Sequence, residues 1–362
     1  MSERYARLAA RVRALDEAGL RRRLRRVEPT SATTARVDGE DRVVFCSNDY
    51  LGLAWDPDVR AAFARGGGAG AARLVSGNRP AHDALEEALS ERFGRPATLF
   101  PTGFQANLGL LTTIAAARDV VASDALNHAS IIDGLRLSRA DRHVVPHGRP
   151  DLLPASLHLA VTESVFSMDG DVADLPAWTG AHWLAVDEAH AVGAMGPGGR
   201  GIAPIQGITP DFVVGTLGKA YGAAGAFVIG PPELRPLLVS GARSFVYTTG
   251  MPEPVAWAAL EGLRRATDER RERLAANTAR LRGALAMLGV PTLGSTHIVP
   301  VPAGDRTMEA AERLFAAGIY APGIRYPTVA RGQERLRLTV SSEHSAEQLD
   351  RCAEAVAAAI RG

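Results

Sequence analysis

Six short, largely apolar runs are spaced along the middle of the chain: D-V-V-A-S-D (119–124), H-V-V-P-H (143–147), L-H-L-A-V-T-E (157–163), W-L-A-V-D-E (183–188), F-V-V-G-T (212–216) and G-A-F-V-I-G (225–230). Strands that are apolar on consecutive positions are buried on both faces, and helix-length connections between them let neighbours run parallel. With the helical segment A-L-E-E-A-L-S-E-R-F (84–93) upstream, this pattern predicts an α/β domain: a mostly parallel sheet between two layers of helices. Two further parts flank it. Leu8, Val12, Leu15, Leu20 and Leu24 fall at roughly helical spacing in an arginine-rich helix expected over residues 4–26, and R-V-D-G-E-D-R-V-V-F predicts a hairpin turning at Asp38-Gly39. After about residue 266 a long arginine-rich helix, the run I-V-P-V, another helix and R-L-R-L-T-V predict a small α+β domain. The expected divisions are 1–42 (N-terminal helix and start of the hairpin), 43–266 (large domain) and 267–362 (small C-terminal domain).

Several function classes are disfavoured by composition. A formal net charge of +1 gives no bias toward nucleic acid or an anionic membrane. The N-terminal stretch M-S-E-R-Y-A-R-L-A-A-R-V-R has no continuous apolar core of a signal peptide, and no later stretch is long and apolar enough to span a bilayer. Cys46 and Cys352 form neither a metal-type pair nor a disulfide framework, which fits a reducing cytoplasm and no metal.

In open α/β sheets ligands gather at the carboxyl ends of the strands. W-L-A-V-D-E-A-H places Asp187 at that edge, with His190 three residues on. D-E-A-H after an apolar strand is also the magnesium motif of a helicase class, but that reading requires an upstream phosphate loop G-x-x-x-x-G-K-[ST]. The Gly218-Lys219 pair lies downstream, Ala220 follows it, and Val213 stands where the first glycine belongs, so a nucleoside-triphosphatase is excluded. Lys219 is the only lysine among 41 lysine and arginine residues. Arginine serves wherever a surface cation suffices, but only lysine can shed its proton and act as a primary amine toward an aldehyde.

An amine, a strand-end carboxylate and a nearby histidine suit pyridoxal phosphate, whose chemistry needs an amine for the aldehyde, an anion for the pyridine nitrogen and donors for the phosphate. Thr102-Gly103-Phe104 opens the expected helix Q-A-N-L-G-L-L, where free backbone N–H groups face outward, and His128 in L-N-H-A-S could stack on a ring. Together these stretches resemble the α-oxoamine synthases among the fold-type I pyridoxal phosphate enzymes. The resemblance runs from about Leu20 to the C-terminus through S-N-D-Y-L-G-L (47–53), R-L-V-S-G-N (73–78), G-F-Q-A-N (103–107), L-N-H-A-S-I-I-D-G (126–134), E-S-V-F-S-M-D-G-D (163–171), V-D-E-A-H-A-V-G (186–193), G-T-L-G-K (215–219), Y-T-T (247–249) and S-T-H-I-V-P (295–300).

That resemblance implies that Lys219 carries the cofactor, Asp187 pairs with its ring nitrogen, His190 bonds its ring oxygen and His128 stacks on the ring. Gly103, Phe104, Ser167 and Thr216 would hold the phosphate side, with Thr248 or Thr249 arriving from the second subunit of a homodimer. Arg337 would take the amino-acid carboxylate, and Arg21 and Thr328 would contact substrate. The activity implied is a decarboxylative condensation of an amino acid with an acyl thioester. Within the family the motifs look most like the biotin-biosynthetic branch, which joins L-alanine to a pimeloyl group on coenzyme A or a carrier protein. The glycine and acetyl-CoA branch, 2-amino-3-ketobutyrate CoA ligase, is the alternative, with a non-catalytic subunit of the same fold behind it. Tyr326 and Ala330 replace prolines usual in the biotin branch, and Gly148 replaces an asparagine; the first two flank Thr328 and bear on the acyl substrate.

Overall fold

A computed structural model describes residues 3–361, and the statements below concern those residues. At its centre is a seven-stranded sheet in the spatial order Ala97–Phe100, Ala226–Ile229, Phe212–Thr216, Trp183–Asp187, Leu159–Glu163, Val120–Asp124, Asp141–Val145. All neighbours are parallel except Ala226–Ile229, which runs antiparallel to both strands beside it. The reason is local: residues 217–225 contain no helix, and so short a return cannot make a parallel crossover. That same return carries Lys219.

All six expected strands form. Ala97–Phe100 was not legible, because A-T-L-F is a four-residue run squeezed between Gly94, with φ of 69°, and Pro101. Its four residues are buried all the same, as are those of Ala226–Ile229 and Leu159–Glu163. At the far edge Asp141–Val145 is exposed except for Val145, and its D-R-H start leaves a polar border on the sheet.

The N-terminal helix is shorter than its leucine spacing predicts, spanning Ala6–Glu17. It ends in a Schellman turn: Gly19 takes φ of 63° and the Leu20 N–H bonds the Leu15 carbonyl at 2.8 Å. Leu20 and Leu24 therefore lie beyond the helix, and Leu24 is fully exposed. The hairpin forms as expected, Thr34–Val37 against Glu40–Val44, with Asp38 and Gly39 both at positive φ as a type I′ turn requires. Its inner strand pairs in parallel with Ile319–Tyr320, so N-terminal and C-terminal segments share one sheet. Ile298–Pro302, Arg335–Thr339 and Gly323–Ile324 make a separate antiparallel sheet. No helix is long and apolar enough to cross a membrane.

Candidate active site

Three adjacent strands end at one edge of the central sheet with Glu163, Asp187 and Thr216, and the Cα atoms of Glu163 and Asp187 are register partners. Asp187 is 8 % exposed and accepts two hydrogen bonds: Oδ2 from Asn107 Nδ2 at 2.8 Å and Oδ1 from the Ala189 N–H at 2.9 Å. Asn107 belongs to the helix Gly103–Ile114 and also donates to Ser130 Oγ at 2.9 Å. Ser130 Oγ lies 2.7 Å from Nδ1 of His128, the residue that caps the helix Ala129–Ser138. One amide thus ties the strand-end carboxylate to the histidine. In the sequence Asn107 is the last letter of G-F-Q-A-N; an amide between Ala106 and Leu110 on a buried helix face is the signal that could have found it.

Lys219 projects from the turn after Phe212–Thr216. Gly222 fixes that turn against the segment Leu53-Ala54: it has φ of 67°, and a Cβ there would come within 2.3 Å of the Ala54 nitrogen. Desolvation pushes the Lys219 ammonium down to about 8; Asp187 opposes this, as Glu163 would if it were ionised, and Arg337 reinforces it. The amine is therefore available near neutral pH. The depression also has a cost in the cofactor-free protein. The unfolded chain holds its proton up to about 10.5 while the folded chain releases it near 8, so stability rises with pH between those values, and below 8 the full penalty applies. Lys219→Met should accordingly raise the Tm of cofactor-free protein at pH 7, by about 1–2 °C per kcal/mol relieved in a chain of 362 residues, with the gain shrinking as pH climbs from 8 to 10. A calorimetric gain independent of pH would locate the effect in packing.

His190 is buried, and its Nδ1 lies 2.7 Å from the hydroxyl of Tyr50. Burial and the cations Lys219 and Arg337 push its imidazolium well below the ordinary range, so the ring is neutral. Tyr50 in turn donates to Asn48 Oδ1 at 3.1 Å and packs against the ring of His297 with centroids 4.0 Å apart. Burial drives His297 down to about 3. Asn48 and Tyr50, both within S-N-D-Y-L-G-L, are thus part of the site.

Arg337 is 6 % exposed, donates from Nε to the Ser167 carbonyl at 2.5 Å, and has the amide oxygen of Asn48 at 3.5 Å from its two terminal nitrogens, with the Tyr50 hydroxyl also beside the guanidinium. No carboxylate lies within 4.0 Å of it among the described residues, whereas Arg335, two residues earlier, pairs with Asp169. A buried guanidinium left without an anion is costly, and one arriving with a ligand would relieve that cost.

The remaining expected residues divide. Gly103 opens its helix with Thr102 as cap, Oγ1 accepting the Gln105 N–H at 3.2 Å, and open space surrounds the position of a Gly103 Cβ. Phe104 is exposed, with its ring 6.4 Å from that of His128. Thr216 donates to the Gly225 carbonyl at 3.1 Å. Thr248 accepts from Gln105 Nε2 at 3.0 Å within the same chain, while Thr249 is exposed. Arg21 and Thr328 both line a cavity of about 420 Å³, yet Arg21 is engaged with exposed Asp16 at 2.9 Å and it is Arg22 that donates to Thr328, at 3.2 Å. The run R-R-R at 21–23 offers no means of telling which arginine faces inward.

Pyridoxal phosphate fits this set. A low-pKa amine, a carboxylate at a strand end, a neutral histidine and an open helix N-terminus are the groups its aldehyde, ring nitrogen, ring oxygen and phosphate require. The comparisons agree. The sequence model of the aminotransferase class I and II family matches residues 40–356. The 8-amino-7-oxononanoate synthase of Halorhodospira halophila is 45% identical, over 98% of this chain and 95% of its own length, and that of Methylococcus capsulatus is 45% identical over 92% and 93%. Among solved structures, a Sphingomonas wittichii serine palmitoyltransferase superposes with a TM-score of 0.90 at 31% identity, covering 99% of this chain and 98% of that one. An 8-amino-7-oxononanoate synthase from Francisella tularensis gives 0.77 at 26%, covering 88% and 98%. The chain thus belongs to the aminotransferase class I and II family, as one of its fold-type I pyridoxal phosphate enzymes.

Proposed function

We propose that the protein condenses L-alanine with a pimeloyl thioester, releasing carbon dioxide and free thiol and yielding 8-amino-7-oxononanoate for biotin synthesis. The observation that carries the amino-acid half is Arg337, a buried guanidinium with no carboxylate partner, close enough to Lys219 to act on its charge. A substrate carboxylate held there places the amino-acid Cα within the site of the only lysine. With its pKa near 8, Lys219 Nζ can take the α-proton and later return it. Bound pyridoxal phosphate supplies the ring that accepts the electrons left at Cα. Asp187 would hold the proton on the ring nitrogen, His190 would bond the ring oxygen, and His128, aligned by Ser130, would stack on the ring.

For the acyl half, support comes from the relatives' names and from the arginine-rich cavity. Arg22, Arg325, Tyr326 and Thr328 line it, and Thr328 also lines a neighbouring cavity of about 210 Å³ that reaches Ser167. A chain ending in a carboxylate or its ester meets cations and a hydroxyl there. A wholly apolar acyl chain would leave them unpaired. The working form is a homodimer. Thr248 only accepts from its own Gln105 and Thr249 is exposed, so either hydroxyl keeps a proton to donate to a partner's phosphate site.

The test is a panel of L-alanine, glycine and L-serine against pimeloyl, acetyl and palmitoyl thioesters on coenzyme A and on a carrier protein, following thiol and carbon dioxide. Alanine with the pimeloyl thioester should give the highest kcat/KM. Its margin over glycine should be modest, about 10–200-fold, since one methyl in a pocket is worth little more. Preference for glycine with acetyl-CoA moves the assignment to the aminoketobutyrate branch, and preference for serine with palmitoyl moves it to sphingoid-base synthesis.

A further inference from the structure

Glu163 has no part in the mechanism above, yet it is only 4 % exposed and stands beside Asp187 in register at the functional edge. Its Oε1 accepts the backbone N–H of His128 at 2.5 Å, and its own N–H bonds Asn127 Oδ1 at 3.0 Å, so it fixes the loop that delivers His128. Lys219 is the one cation acting on both of these buried, register-paired carboxyls, and a single positive charge balances only one of them at neutral pH. The donors decide which one keeps the proton. Asp187 receives a side-chain amide and a backbone N–H, whereas Glu163 receives one N–H and makes no further hydrogen bond through Oε2 among the described residues. Asp124, ending the next strand, also disfavours charge on Glu163, and is itself matched by His147, 3.1 Å from both of its oxygens.

We propose that Glu163 is a positioning residue that works as a neutral acid: it holds the His128 backbone and, by staying uncharged, leaves Asp187 as the one anion facing Lys219. Burial and the neighbouring Asp187 push its carboxyl well above the ordinary range, against the pull of Lys219 and of the His128 N–H. The chemical consequence falls on Lys219. A second anion at this edge would hold its proton more tightly and withdraw the amine from use at neutral pH. The inference concerns the same site as the proposed condensation and rests on that reading only for the role of His128.

The chain's single lysine makes the test direct. In cofactor-free protein, the pH dependence of acylation of the Lys219-containing peptide, read by mass spectrometry, gives the titration of this amine. Glu163→Gln keeps the shape and the acceptor oxygen but can never be an anion, so its midpoint should coincide with that of wild type. A midpoint lower by about one pH unit shows that an anion has been removed, and overturns the proposal. In a second measurement, Glu163→Ala should bind pyridoxal phosphate about tenfold more weakly, through loss of the hold on His128, and Glu163→Gln should restore wild-type affinity. Failure of the glutamine to rescue also overturns it. Wild-type protein that binds no pyridoxal phosphate would sink the proposed function instead, while the amine titration would still decide the charge on Glu163.

Discussion

Lys219→Arg is expected to abolish turnover while leaving the fold intact. Kcat should fall by at least about 10³-fold, the scale set by losing both a positioned base and a covalent hold on the cofactor. The substitution preserves a cation and a similar stem, so a merely structural lysine would tolerate it. It fails chemically because guanidinium stays protonated at any accessible pH. It fails electrostatically as well, since Arg337 already depresses the Lys219 ammonium, and a second permanent cation in that desolvated corner has no way to discharge. Borohydride treatment of wild-type protein loaded with pyridoxal phosphate should fix a label to the peptide containing residue 219 and, because the chain has no other lysine, make it resistant to a lysine-specific protease. The variant should carry no label. Retained turnover in Lys219→Arg, or a label found elsewhere, would contradict the assignment.

The parts of the site that were legible in the sequence are those in which residue type alone restricts chemistry. A solitary lysine among arginines, an aspartate ending an apolar strand and a glycine opening a helix each narrow the possibilities before any coordinate is seen. Strands were legible because doubly buried strands are written as consecutive apolar residues. Ala97–Phe100 escaped because its run is short and its burial comes from pairing with Ala226–Ile229, across more than a hundred residues of chain. The supporting residues escaped for the same kind of reason. Arg335 and Arg337 share one strand face, and nothing in R-L-R-L-T says that Asp169 neutralises the first and leaves the second without a counter-charge. Asn107, Tyr50 and Glu163 read as ordinary members of a helix, a loop and a strand. Their roles exist only once Asp187, His190 and His128 have been brought against them. The N-terminal helix shows the converse: leucine spacing continued past residue 19, and a glycine able to adopt positive φ stopped the helix there.

Asp187→Asn should be the second most damaging change, and for two separable reasons. The first is charge. A neutral amide does not hold a proton on the pyridine nitrogen, so the ring accepts electrons poorly and the amino-acid α-proton becomes harder to remove. The second is hydrogen-bond polarity. Asp187 now accepts on both oxygens, from Asn107 and from the Ala189 N–H. An asparagine has one acceptor and one donor group, so whichever way it turns, its NH₂ meets another donor, and a buried mismatch of this kind costs about 1–3 kcal/mol. Exchange of the alanine α-hydrogen in deuterated water, measured without acyl thioester, isolates the first effect and should fall by about 10²-fold or more, while cofactor affinity falls about tenfold or more from both. Asn107→Ala separates them, because it removes one donor and leaves the carboxylate: cofactor binding should weaken, and α-proton exchange at saturating cofactor should fall far less than in Asp187→Asn. Equal losses of exchange in the two variants would mean that Asp187 acts by orienting the site; undiminished exchange in Asp187→Asn would remove it from the chemistry altogether.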